Sequence, residues 1–205
     1  MCEVIPSQML GVAMAGKAVT KVVHRCYSAK EDRNLNLSEC QLMSFPDAVY
    51  HLMRNTVLLT CDLSSNVFRK IPPQLPLKFI NITELNLSNN RLSTLPDELK
   101  DMKELQKLNL SRNDFLVVPK VVFKIPHLIY LNLKKNFIVD IDISKVRSAP
   151  ALKEINLEEN PLTKTACVQL QSVPSNRILI YVTEQKPEDE DSDDDFDVTP
   201  PNSSV

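Results

Sequence analysis

The 205-residue chain has no tryptophan and only two glycines. So few glycines exclude the loops that bring backbone amides against a phosphate or a dinucleotide, because such loops need residues without a Cβ. No Cys-x-x-Cys occurs, and the three histidines, His24, His51 and His127, fall in different units at no metal-ligand spacing. With no base–nucleophile pair and no ligand cluster, no catalytic residue, cofactor or metal is expected, and the chain does not read as an enzyme. No apolar run approaches the roughly 20 residues of a membrane span. Residues 1–16 lack a basic leader and carry Glu3 and Pro6, a poor match to a secretory signal. The five cysteines, at 2, 26, 40, 61 and 167, are scattered rather than clustered, and 26, 40 and 61 take core-type positions. Reduced thiols acting as small hydrophobes fit that pattern, so the expected compartment is the cytoplasm, with the nucleus as a second.

What the chain does have is a period. Asn66, Asn90, Asn113, Asn136 and Asn160 are spaced by 24, 23, 23 and 24 residues, each ending the same phrase: LLTCDLSSN, ITELNLSNN, LQKLNLSRN, LIYLNLKKN and LKEINLEEN. The pattern LxxLxLxxN at this period is that of a leucine-rich repeat solenoid. In the copy at 105–127, Leu105, Leu108 and Leu110 point inward, and strand alternation sends Lys107, Asn109 and Ser111 to the concave face. Asn113 stands where the chain turns, its amide and carbonyl suited to backbone groups the turn leaves unpaired. Phe115, Val118, Val122 and Ile125 continue the inward set on the return limb. Val118-Pro119 echoes Phe45-Pro46, Ile71-Pro72 and Leu95-Pro96, and proline suits an irregular limb rather than a sheet. A weaker first copy at 35–52 has Cys40 for the asparagine, and the copy at 128–151 has Asp142 where others have proline.

The expected fold is therefore an α/β solenoid of about six repeats, with short parallel strands on the concave face. Residues 34–162 hold the repeats, 1–33 an N-terminal segment, 163–186 a C-terminal cap and 187–205 a disordered acidic tail. End repeats need covers. Ala15, Ala18, Val19, Val22, Val23 and Cys26 form one apolar stripe at helical spacing, opposite Lys17, Lys21 and Arg25. The spacing predicts a capping helix over 8–28; a membrane-surface or partner-binding helix is the alternative, because the polar side is basic. At the other end, 163–172 reads as a short helix, and Ile178, Ile180 and Val182 alternate like a final strand.

The concave face is the default binding surface. Its central column is asparagine in five of six repeats, which reads most simply as a self-satisfied polar ladder. Tyr130 stands out as the only aromatic expected on this face, with Lys107 and Lys134 beside it by the repeat register. The candidate partner-binding residues are Lys107, Tyr130, Asn132 and Lys134, meeting an acidic or peptide partner. The partner is expected to be a protein, not a small-molecule substrate or nucleic acid, and the chain to be a monomer. Residues 188–197 contain eight acids, so the net charge of −2 splits into −8 on 188–205 and +6 on 1–187. Such a run does not bury apolar surface. Ser192, with Asp195 three residues on, is a phosphorylation candidate resembling a site for an acidophilic kinase. Lys120-Val121-Val122-Phe123 resembles a short phosphatase-docking motif, although Val122 is in the buried register.

The span from about 13 to 183 resembles small intracellular leucine-rich repeat proteins, through MAGKAVTKVV (14–23), LNLSECQLMSFPDAVYHLMRN (35–55), LNLSRNDF (108–115) and INLEENPL (155–162). That resemblance implies an interaction module, a scaffold or adaptor, with no enzyme activity. The tail at 188–197 resembles instead acidic nuclear leucine-rich repeat phosphoproteins. This implies the alternative function, a nuclear regulator of histones or of a protein phosphatase.

Overall fold

The computed structural model describes residues 7–183. Helix α1 (Ser7–Asp32) leads into seven three-residue strands: β1 (Asn34–Asn36), β2 (Thr60–Asp62), β3 (Glu84–Asn86), β4 (Lys107–Asn109), β5 (Tyr130–Asn132), β6 (Glu154–Asn156) and β7 (Leu179–Tyr181). They pair in parallel, in chain order, as one sheet. The central residues form a single row in register: Leu35, Cys61, Leu85, Leu108, Leu131, Ile155 and Ile180. The first six of these are buried, and Ile180 packs against their core at its end. Six strands come from the six repeats; β7 comes from the segment after them.

Between strands run short limbs: α2 (Asp47–Leu52), α3 (Gln74–Lys78), 3-10 turns at Asp97–Asp101 and Lys120–Lys124, α4 (Ile143–Ser148) and α5 (Lys164–Gln171). Pro46, Pro73, Pro96 and Pro119 stand immediately before the first four. A fixed φ and no N–H cost nothing at the mouth of a helix, where the N–H is unpaired anyway. Asp142 replaces that proline with a side-chain cap, accepting the N–H groups of Ser144 and Lys145, and Thr163 caps α5 through the N–H of Ala166. The Lys120–Lys124 turn buries Val121, Val122 and Phe123. The resemblance of this stretch to a docking motif therefore fails, since docking requires an extended exposed segment and three of its four side chains are in the core.

The asparagine column binds the coils together. Asn90 Oδ1 accepts the N–H of Phe68 at 3.1 Å, while Nδ2 donates to the carbonyls of Leu63, Leu87 and Ser88 at 3.0, 3.1 and 3.1 Å. Asn66, Asn113, Asn136 and Asn160 repeat the arrangement. The residue before each asparagine takes a left-handed backbone: Ser65, Asn89, Arg112, Lys135 and Glu159, with φ of 54–55°. A glycine-poor chain fills a glycine position five times over with other residues.

Helix α1 closes the first coil, and it does so differently from the helical-wheel expectation. It runs to Asp32, past residue 28, and buries Val22, Cys26 and Ala29, whereas Val19 is 63% exposed. Lys21 and Arg25 are not on a solvent face. Past the carboxyl ends of the strands each repeat donates to carbonyls of the next, as Glu39 N–H does to Ser64 and Ser65 N–H to Ser88. The first repeat has no predecessor to donate to it. Arg25 Nη1 supplies the donor to the Ser38 carbonyl, and Lys21 Nζ that to Glu39 at 2.9 Å. At the far end the Glu159 N–H, lacking a next repeat, finds Thr183 Oγ1 at 2.6 Å.

Candidate functional site

The outward strand residues form the concave face, and no part of the described chain covers it. Lys107 and Tyr130 are ladder partners on β4 and β5, Asn132 follows on the same side of β5, and Lys134 stands two residues past its end. The four candidate residues of the sequence analysis thus stand together. Thr60, Asp62, Glu84, Asn86, Lys107, Asn109 and Tyr130 line a shallow groove of about 370 Å³ on this face.

Electrostatically the face differs from expectation. Lys107 Nζ lies 2.7 Å from Glu84, and Lys134 Nζ lies 2.9 Å from Glu158 and 3.1 Å from Glu159. Hydrogen bonds from Lys134 hold the Glu158 and Glu159 carboxyls below their ordinary range, while the Glu84 hydrogen bond raises the Lys107 ammonium. Both lysines are already engaged, which removes the free cations an acidic partner needs. Over the seven strands the outward positions carry four carboxylates (Asp62, Glu84, Glu154, Glu158) and two ammonium groups. The body is net basic; its concave face is net acidic.

The asparagine column on this face is self-satisfied. Asn86, Asn109, Asn132 and Asn156 each accept the N–H two residues on, at 3.1, 3.1, 3.0 and 2.9 Å, and Asp62 does the same to Ser64. Asn132 therefore braces its own turn before it meets anything else.

Tyr130 is not the only outward aromatic. Strand β7 sets Leu179 and Tyr181 on the concave face, beyond Glu154 and Asn156 respectively, and Tyr181 is 42% exposed. The alternation of Ile178, Ile180 and Val182 already implied those outward neighbours. Burial pushes the Tyr130 phenol up, and the Glu154 carboxylate adds to it; a hydrogen bond with the Asn132 side chain works the other way.

A second surface lies on the flank past the asparagine turns. Leu116, Val117, Phe137 and Val139 are exposed there, beside a groove of about 600 Å³ lined by Leu95, Val118, Pro119 and Ile141. Among the described residues no group of histidine, cysteine, aspartate or glutamate is placed to hold a metal ion, and no helix is long and apolar enough to cross a membrane. Ser192 lies outside the described residues.

The family model described as leucine rich repeat matches residues 56–115 and 105–162, more than half of the chain. This chain belongs to the leucine-rich repeat family. Leucine-rich repeat-containing protein 20 of Mus musculus is 42% identical over 152 residues, covering 72% of this chain and 83% of the relative. The Homo sapiens protein of that name is 35% identical over 95 residues, 44% of this chain and 52% of the relative. In structure the chain is similar to a leucine-rich repeat protein of Leptospira interrogans, with a TM-score of 0.62, 26% identity and 72% of this chain covered. It is also similar to a chain of the Drosophila Toll–Spätzle complex, with a TM-score of 0.53, 26% identity and 64% covered. The chain spans about a third of the first of these structures (36%) and less than a fifth of the second (18%). The leucine-rich repeat is a protein-interaction fold whose curvature creates an extended binding surface.

Proposed function

We propose that this chain is an intracellular scaffold or adaptor that binds a protein partner across the concave face of its repeats. The observation that carries the reading is the seven-stranded face itself, uncovered by any described segment and bearing Tyr130 and Tyr181 on rigid strands. Tyrosine gives large contact area at low entropy cost. The similar chain of the Toll–Spätzle structure was solved within a protein complex, and a protein ligand is the corresponding expectation here. In this reading the chain acts as a monomer and works in the cytoplasm, a compartment supported by the free, core-buried thiols of Cys26, Cys40 and Cys61, the pattern of a reducing environment.

A second reading rests on the eight acids of 188–197: the tail meets a basic, histone-type partner in the nucleus, tuned by phosphorylation at Ser192. The two separate in one experiment. Affinity capture from lysate is run with the full chain, with a 1–186 truncation and with Tyr130→Ala/Tyr181→Ala. The concave-face reading expects partners kept by the truncation and lost by the double variant. Partners lost on truncation and kept by the double variant belong to the tail, with binding that falls steeply with salt.

A further inference from the structure

Glu154 is an isolated charge on a face where the other glutamates are paired. Among the described residues it takes part in no ion pair, while Glu84 and Glu158 each hold a lysine. Asp62, the other acid without an ion pair there, spends an oxygen on the Ser64 N–H at 2.8 Å. In register, Glu154 stands between Tyr130 on β5 and Leu179 on β7, and Tyr181 is two residues along β7. Strands sit about 4.8 Å apart, so the strands bearing the two tyrosines flank the carboxylate at roughly 10 Å from one another. Tyr130 feels Glu154, Tyr181 and Glu158 together, so these groups share one electrostatic neighbourhood. Both lysines of the face are engaged elsewhere, Lys107 by Glu84 and Lys134 by Glu158 and Glu159, which leaves Glu154 uncompensated.

We propose that this end of the concave face recognises an arginine side chain of a partner peptide, its guanidinium on the Glu154 carboxylate with the Tyr130 and Tyr181 rings to either side. This rests on the concave-face reading above and gives its partner a chemistry. A carboxylate on a strand between two tyrosine-bearing strands fits a flat, weakly hydrated cation that can stack on rings and bond a carboxylate through two N–H groups. Arginine meets that description and lysine does not. The excess of carboxylates over ammonium groups on the face favours a basic segment around that arginine and repels an acidic one. Leu179, exposed beside Glu154, offers apolar contact to the stem of the same side chain.

The test is a residue-resolved ¹H–¹⁵N titration of the full chain with the peptide acetyl-Ala-Ala-Arg-Ala-Ala-amide, beside versions with lysine or citrulline at the centre. Citrulline keeps the shape of arginine without its charge. The expected result is shifts centred on residues 130, 154 and 181, weaker for lysine and absent for citrulline. Glu154→Gln and Tyr181→Ala are each expected to weaken arginine binding by up to about tenfold, and Tyr181→Phe to keep it. Shifts confined to 188–197 or to the convex limbs overturn the proposal, as does an unchanged Glu154→Gln titration. Shifts on β1–β3 alone overturn it while leaving the concave-face reading intact. That wider reading falls separately, if the captured partners survive Tyr130→Ala/Tyr181→Ala. The substitutions are at outward positions, and an unchanged melting curve for each variant verifies that only the surface was altered.

Discussion

Asn113 reaches back across one coil to Leu92: its Oδ1 accepts the Leu92 N–H at 3.0 Å, while its Nδ2 donates to Leu87 and Leu110 at 3.0 Å each. A single buried amide thus satisfies backbone groups of two successive repeats. Replacing it with alanine leaves these groups buried without partners.

Asn113→Ala is expected to cost about 3 kcal/mol, because each orphaned buried group costs about 1–3 kcal/mol and the site relaxes only in part. Asn160→Ala, at the half-buried last copy, is expected to cost about 1 kcal/mol. Chemical denaturation of the two variants checks the order; equal losses would contradict the role of burial in the column.

Tyr50 packs against Phe45 and Phe79, with ring centroids 5.0 and 5.9 Å away. Its hydroxyl is buried with no hydrogen-bond partner among the described residues, and burial pushes the phenol up to about 12. Tyr50→Phe keeps the rings and removes the unsatisfied oxygen. It is expected to raise stability by about 1 kcal/mol and Tm by roughly 2–4 °C. A lower Tm would mean that the hydroxyl is bonded in solution.

Arg112 holds φ at 55° in the last turn before Asn113. Arg112→Gly relieves that backbone but frees the unfolded chain, so its stability is expected within about 1 kcal/mol of the parent. Arg112→Val places a β-branched residue in the left-handed region and is expected to lose about 1–2 kcal/mol. Thermal melts of the pair report the backbone directly, since the Arg112 side chain is exposed.

The thiols should divide by burial. Cys26, Cys40 and Cys61 are buried, and burial pushes the Cys26 thiol up and the Cys61 thiol far up, against thiolate formation. In a Cys2→Ser background, a native-state thiol titration is expected to label Cys167 alone, with the other three reacting on unfolding. Rapid native labelling of Cys61 would contradict its place in the sheet row.

Most of the fold is legible in the chain because one constraint recurs. The row from Leu35 to Ile155 and the column from Asn66 to Asn160 follow from a period that each copy restates. The ends are harder to read, because they break it. A helical wheel assigns Lys21 and Arg25 to solvent; only the orphaned carbonyls of Ser38 and Glu39 explain why they turn inward. The site was half visible. Tyr130 stands out in the repeat phrase, but Tyr181 sits on a strand that carries no phrase at all. The pairing of Lys107 with Glu84 follows from their shared register, which position along one repeat does not reveal.

The asparagine bonds all point one way. Asn66 holds Cys40, Asn90 holds Phe68, Asn113 holds Leu92, Asn136 holds Phe115 and Asn160 holds Ile138, each reaching toward the amino terminus. A coil is therefore fastened by the one that follows it. During synthesis, when amino-terminal segments leave the ribosome first, each turn of the solenoid stays unlatched until some 20 further residues have emerged. The growing protein then tightens one coil behind its advancing end.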